Sequence, residues 1–472
     1  MLIGRKEEIK IFENAIRDNK SHFIAIYGRR RVGKTFLIRE FFGNRFTFQH
    51  AGVSEGALRE QLDAFISAVE LSGYSYEKKP KNWIQAFDGL KHLIISSSES
   101  RKIIFIDELS WMDTPKSGFM PALENFWNAF ASARKDVVLI VCASATSWML
   151  SKVVHNKGGL YHRLTDQIHL KPFQLQECEK YVKEKGLILN RDQIMQYYMI
   201  FGGVPYYWEL LQKGIGLSQN IDNILFSENA ILKDEFKYLY SSIFKNPEIY
   251  IRLVKAMSKV KSGITREELI EIAGVSNSGD LSSRLEELES CGFIRTYNAF
   301  GMKKKNTIYQ LIDPFTLFYY SFLEKKPSDE HYWTNQINTP KVNTWKGLAF
   351  ERVCLMHVDK IKEKLGIKGI LTDICSWHCK ADSDKGIFGS QIDLLLVRKD
   401  LVINMCEMKY SGQEYTLTKS THEDIQKKIH DLQIQTGTKY VVNPVLVTTY
   451  GLLENSWSEV FQNVVILDDL FK

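Results

Sequence analysis

Short runs of apolar, strand-forming residues recur along the chain, separated by longer segments where apolar and polar positions mix at helical spacing. His22-Phe-Ile-Ala-Ile-Tyr27, Arg101-Lys-Ile-Ile-Phe-Ile106 and Val137-Val-Leu-Ile-Val-Cys142 are the N-terminal runs. Near-continuous apolar character suits strands covered on both faces, so this part reads as an α/β domain with a parallel sheet. From about Asn246 the pattern shifts to short helices: 250–257, 265–273 and 280–289. Thr265 and Glu268 have the spacing of a capping box, and Gly274 ends that helix. Two strands follow, 292–297 and 306–311, around a basic tip, Lys303 to Lys305. Residues 313–322 read as a helical connector, and Glu324 to about Pro340 as a polar segment. A second α/β pattern begins near Trp345. It has Glu351 on a half-apolar helix, a strand headed by Asp393, and another strand over 401–409.

Where the first apolar run ends, the chain reads Gly28-Arg29-Arg30-Arg31-Val32-Gly33-Lys34-Thr35-Phe36. This fills the pattern G-x-x-x-x-G-K-[ST] between a strand and a helix, the setting in which a P-loop works. Glycines let backbone N–H groups wrap phosphates, and the helix N-terminus favours their charge. Lys34 is placed to reach the β- and γ-phosphates, and the Thr35 hydroxyl to ligate Mg²⁺. Asp107 and Glu108 directly follow the second run, at the carboxyl end of a strand where α/β sheets gather ligands. Asp107 is the expected Mg²⁺ ligand and Glu108 the carboxylate that polarises the attacking water. The expected nucleotide is ATP with Mg²⁺.

In the C-terminal pattern, Asp393 precedes Glu407-Met-Lys409. Glu407 and Lys409 are two apart on a strand and share a face, and a neighbouring strand can bring Asp393 beside them. Asp393 and Glu407 are hard oxygen ligands for Mg²⁺, with Mn²⁺ as an alternative. Lys409 would position or deprotonate a water; the arrangement resembles the D…(D/E)-x-K motif of restriction-endonuclease-like nucleases, which implies for Glu351 the role of an additional acid near the metal. Acids and a lysine inside otherwise apolar strands call for a reason beyond solvation. Cys375-Ser-Trp-His378-Cys379 lacks a second ligand pair at zinc-site spacing and reads as packed thiols.

Composition narrows the function classes. The 472 residues are too many for one core, and 44% hydrophobic with 25% charged residues suits a folded protein. No apolar stretch is long enough for a membrane span, and Met1-Leu-Ile-Gly-Arg-Lys is not a secretory signal. Seven scattered cysteines fit reduced thiols in a cytoplasmic protein. A net charge of +6 permits a nucleic-acid partner without requiring one.

In sequence order the chain carries a P-loop, an Asp-Glu strand end, a Phe201-Gly-Gly-Val-Pro205 turn, a three-helix-and-hairpin segment, and D…E-x-K. It resembles archaeal and bacterial ATPases of the extended AAA+/STAND-like group with a C-terminal restriction-endonuclease-like domain. The resemblance implies a P-loop ATPase core over 1–170, a helical lid over 171–245, a winged helix over 246–322 and a nuclease-like α/β domain over 341–472. It further implies a sensor residue at the tip of the third strand, Ser144 with Thr146 as second choice. Arg163 would be an arginine reaching a neighbouring subunit's nucleotide. Ala143 departs from the glycine expected at that strand end. The expected catalytic residues are Glu108, Asp393, Glu407 and Lys409. The expected partners are ATP and DNA, with self-association into a homo-oligomer open and no membrane. The implied role is an ATPase that controls a metal-dependent nuclease. The alternative is an ATP-driven switch whose C-terminal fold binds without cutting; the acids Glu286, Glu287 and Glu289 on the last winged-helix helix argue against deep groove contact.

Overall fold

The computed structural model describes residues 2–156, 158–244, 246–301 and 307–472. The chain divides into two units: Met1–Pro172 with Ser241–Lys245, and Phe173–Tyr240 with Asn246–Lys472.

In the first unit the three apolar runs are strands. They are β1 (His22–Tyr27), β3 (Lys102–Asp107) and β4 (Val137–Ala143), joined by β2 (Phe46–Ala51) and β5 (Asp166–His169). All pair in parallel, in the order β2-β3-β4-β1-β5. Every residue of β1, β3 and β4 is buried, the result expected of runs without polar alternation. Alternate side chains feed opposite cores. Phe23, Ala25 and Tyr27 pack with Phe65, Phe87, Phe126 and Trp127, whereas Ile24 and Ile26 pack with Phe12, Leu37, Ile38 and Phe42. Because β4 lies between β1 and β3, its carboxyl end falls between the P-loop and the Asp107-Glu108 pair.

The second unit opens with helices, among them Leu175–Glu184, Arg191–Phe201 and Pro205–Glu209. Gly202 and Gly203 turn the chain between the last two. Gly202 has φ 59°, and a Cβ on Gly203 would lie 1.7 Å from the Phe173 carbonyl oxygen, so the turn admits no side chain there. Helices Pro247–Ser258, Arg266–Ala273 and Gly279–Ser290 follow, with an antiparallel sheet β6-β8-β7: β6 (Ile264–Thr265), β7 (Ile294–Asn298) and β8 (Thr307–Leu311). Thr265 and Glu268 cap each other, as their spacing predicts: the Thr265 N–H donates to Glu268 Oε2 at 2.9 Å and the Glu268 N–H to Thr265 Oγ1 at 3.3 Å. The basic tip Lys303–Lys305 lies outside the described residues.

The polar segment between Glu324 and Pro340 holds a short helix, Tyr332–Gln336. Trp333 within it is 2% exposed, and its ring sits 5.2–5.5 Å from those of Phe318, Phe322 and Trp345. Four large rings with so much area to bury fix a segment whose composition otherwise suggests a loop. Helix Pro340–Met356 leads to β9 (Thr372–Cys379), β10 (Ser390–Arg398) and β11 (Val402–Lys409), and helix Lys419–Thr436 returns the chain to β13 (Val441–Thr448). β12 (Tyr415–Thr416) and β14 (Leu452–Leu453) form a small separate pair. With β15 (Asn463–Val465) the main sheet reads β15-β13-β11-β10-β9, antiparallel from β9 to β11 and parallel beyond. Among the described residues no helix is long and apolar enough to cross a membrane, and the seven cysteines are unbridged.

Candidate functional site

β1 delivers the chain to Gly28, where φ is 147° and a Cβ would stand 2.3 Å from the Leu170 carbonyl oxygen. Only glycine fits beneath that carbonyl. Arg31 and Gly33 also take positive φ, 70° and 91°, so the loop curls back on itself before helix Lys34–Phe42 begins. Such curls turn successive N–H groups inward, the geometry that grips phosphate oxygens. Lys34, 5% exposed, bends back over the loop. Its Nζ donates to the Gly28 carbonyl at 2.8 Å, the Arg29 carbonyl at 3.2 Å and Ser144 Oγ at 3.1 Å.

Asp107 is gripped from three sides. Its Oδ2 accepts from Thr35 Oγ1 at 2.6 Å, and its Oδ1 from the Glu108 N–H at 2.9 Å and Cys142 Sγ at 2.5 Å. Burial, then the Asp107 carboxylate, push the Cys142 thiol well above its ordinary value and keep it a donor. Glu108 sits in the left-handed region at φ 45°, an uncommon conformation for a residue with a side chain and one that clusters at functional sites. Its carboxylate is held by Ser144, through the N–H at 3.0 Å and the hydroxyl at 2.5 Å. Ser144 thus links Lys34 to Glu108. Thr146 is fully buried, and its hydroxyl has no partner among the described residues. Arg163 is exposed on the turn before β5, as is Arg30 on the P-loop, and Phe36 is 55% exposed. Thr35 Oγ1 and Asp107 Oδ2 are hard oxygen donors within 2.6 Å of each other, a set that fits Mg²⁺ completed by phosphate and water.

The second unit gathers the other candidates. β10 and β11 pair antiparallel from Val397 opposite Ile403 to Leu394 opposite Cys406, and Asp393 and Glu407 are the residues that adjoin this end of the ladder. Asp393 was expected at a strand head; it lies inside β10, where the register with β9 slips between Ile392 and Leu395. A bulge there re-aims side chains, which allows a charged residue within the apolar run. Asp393 Oδ1 accepts from Gln391 Nε2 at 2.7 Å. Glu407 is bound to Lys409 at 2.8 Å and to Lys428, from helix Lys419–Thr436, at 2.7 Å. Burial works to raise Glu407, but Lys428 and Lys409 hold it below its ordinary value. Burial, then the Asp393 carboxylate, push Glu351 up to about 7. Glu351, Asp393, Glu407 and Lys409 therefore share one electrostatic neighbourhood. Among the described residues no three His, Cys, Asp or Glu side chains stand at metal-holding spacing.

Sequence reasoning missed Lys428, Gln391, Cys142 and two arginines, Arg295 and Arg352. Lys428 gives no signal on a helix rich in charge. Arg352 does: it interrupts the apolar run around Phe350, Val353 and Cys354, and it is 5% exposed.

The similarity to known proteins extends beyond the first unit. Residues 2–211 match a family described as an ATPase domain predominantly from Archaea. The chain is 25% identical over 448 residues to an uncharacterized protein of Methanocaldococcus jannaschii, covering 93% of this chain and 94% of that one. A shorter uncharacterized ATP-binding protein of the same organism is 49% identical over 45 residues, 10% of this chain and 76% of that one. Among solved structures, the Walker-type ATPase of Pyrococcus abyssi aligns with 67% of this chain and 95% of its own at 16% identity and TM-score 0.46.

Proposed function

We propose that this chain, whose residues 2–211 match an ATPase-domain family found predominantly in Archaea, hydrolyses ATP with Glu108 as the water-orienting carboxylate. The observation that carries the reading is the chain of contacts from Lys34 through Ser144 to Glu108. It couples the residue at the phosphates to the residue at the water. Lys34, now on two loop carbonyls, would exchange them for β- and γ-phosphate oxygens. Losing Lys34 from its hydroxyl frees Ser144 to hold Glu108 alone. Thr35 and Asp107 would hold Mg²⁺, which supplies charge neutralisation on the phosphates. The test is ATP turnover and ATP affinity in wild type and Glu108→Gln. Retained binding with lost turnover is expected, and equal turnover removes Glu108 from the mechanism.

For the second unit we propose a metal-dependent phosphodiesterase acting on nucleic acid, governed by the nucleotide state of the first. Two observations favour it over a purely binding fold. The helix–β9–β10–β11–helix–β13 order agrees with what the resemblance to restriction-endonuclease-like domains implies, and Asp393 and Glu407 adjoin the Leu394–Cys406 end of the β10–β11 ladder. The three-helix segment with β6, β7 and β8 reads as a winged helix. Two of the three acids of its last helix are committed internally: Glu287 accepts from the Tyr250 hydroxyl, and Glu289 from the Thr296 N–H at 3.0 Å. Incubation with supercoiled, linear and single-stranded DNA in Mg²⁺ and Mn²⁺, with and without ATP, tests the reading. Cleavage that Asp393→Asn removes is the expected result. DNA retained intact but bound in every condition would favour the switch.

A further inference from the structure

Arg352 follows Glu351 on helix Pro340–Met356 and turns into the protein, where its Nη2 donates to the Lys261 carbonyl. The same carbonyl accepts from Gln310 Nε2 at 2.8 Å, and Gln310 Oε1 accepts from Arg295 Nε at 2.6 Å. Gln310 is 2% exposed, so a buried relay ties the two guanidiniums together. Arg295 also lies over the Tyr297 ring, 4.5 Å from its centre. This end of the three-stranded sheet is fastened to β9 by the Phe300 N–H on the Ser376 carbonyl at 3.0 Å.

After these bonds, Arg295 Nη2, Arg352 Nε and Arg352 Nη1 are buried with no partner among the described residues. A buried cationic donor left without an acceptor is costly, and three of them together call for a ligand. The Asp393 charge acts on both guanidiniums and the Glu351 charge on Arg352, yet neither arginine donates a hydrogen bond to these carboxylates. Burial nonetheless lowers Arg295 to about 10, against the opposing pull of Tyr297 and the Asp393 carboxylate. Glu351, Asp393 and Glu407 are outnumbered by Lys409, Lys428, Arg295 and Arg352. Planar donors in cationic excess beside a metal-ligand pair match a tetrahedral oxyanion.

We propose that Arg295 and Arg352 form a binding site for the phosphate of a nucleic-acid strand, set beside Asp393 and Glu407. The proposal rests on the phosphodiesterase reading and names its substrate-positioning groups. Arg295, from the three-stranded sheet, then makes that segment part of the site and not a separate reader of DNA. Asp393, Glu407 and Lys409 are only partly buried, which leaves the site open to a strand on that side.

The experiment uses the full chain with saturating ADP, so that the P-loop does not report, and Ca²⁺ to hold cleavage back. Binding of a fluorescent oligonucleotide with 5′-hydroxyl and 3′-hydroxyl ends is read by anisotropy, and binding of inorganic phosphate by calorimetry. Arg295→Gln is expected to weaken oligonucleotide binding about tenfold or more, and Arg295→Lys to restore it only in part because the planar fork is lost. Arg352→Gln is read the same way where its circular-dichroism melt matches wild type. Unchanged oligonucleotide affinity in Arg295→Gln overturns the proposal. Phosphate binding sensitive to Arg295, with no oligonucleotide bound, overturns the nucleic-acid assignment in favour of a free phosphate ligand. The two readings fail separately. Loss of binding in Arg295→Gln without cleavage in any metal keeps the anion site and removes the phosphodiesterase; cleavage abolished by Asp393→Asn with KM unchanged in Arg295→Gln does the reverse.

Discussion

The two polar sites are built in opposite ways. In the first unit a single loop and two adjacent strand ends supply everything: Gly28 to Thr35, Asp107 with Glu108, and Ser144. The sheet order does the positioning, since β4 between β1 and β3 brings Ser144 to within hydrogen-bond distance of both Lys34 and Glu108. In the second unit the charges come from a helix, two strands, a second helix and a separate three-stranded sheet, through Glu351 and Arg352, Asp393, Glu407 with Lys409, Lys428, and Arg295. The first kind of site is specified by local geometry and tolerates little change in the loop. The second is specified by packing, so its chemistry depends on how several elements are held together.

That contrast can be broken or sharpened experimentally. The largest expected effect is that of Glu108→Gln, which should lower ATP turnover by about 10²–10³-fold with binding retained. Asp393→Asn should lower metal-dependent cleavage of DNA by about 10²-fold and leave ATP turnover as in wild type. A parallel fall in both activities would mean that the two sites are one system. Lys34→Ala loses a charge-assisted contact and should weaken ATP binding about 10- to 100-fold by calorimetry.

Ser144→Ala tests the link itself. Turnover should fall about fivefold to tenfold with ATP affinity little changed, because one hydrogen bond to the Glu108 carboxylate is removed. Turnover equal to wild type would leave Ser144 as packing only.

The smallest effect compares the units through pH. Burial lowers His50 of the first unit and His357 of the second to about 4. Their folded values lie below the unfolded one, so the unfolded chain takes up protons first. The stability is fully present above about pH 6.5 and is lost as pH falls towards 4. Each histidine should cost about 1 kcal/mol at pH 5.5, read as a lower Tm than at pH 7.5. His50→Gln should flatten that dependence for the first unit alone; a slope that persists unchanged would point to other groups.

The difference between the sites also explains what could be read in advance. Gly28, Gly33, Lys34 and Thr35 are legible because phosphate geometry demands them at fixed spacing along one loop, and Asp107-Glu108 because a buried strand seldom ends in two acids without cause. Asp393, Glu407 and Lys409 are legible only as a pattern on strands. Arg295 and Lys428 leave no trace in sequence, because their placement follows from tertiary packing of elements far apart in the chain. Trp333 works in the other direction: one aromatic residue in polar surroundings carries enough buried area to order a segment that otherwise reads as polar.

Finally, the family match ends at residue 211, whereas the N-terminal segment of the first unit ends at Pro172. The stretch between is packed into the second unit. The Leu175 N–H donates to His357 Nε2 at 3.2 Å, Asp192 accepts from the Tyr410 hydroxyl at 2.8 Å, and Arg191 pairs with Asp468 at 2.9 Å. The family match and the packed units therefore overlap without coinciding. A chain cut at residue 211 would strand these helices without their partners, whereas one cut near residue 172 would leave them together.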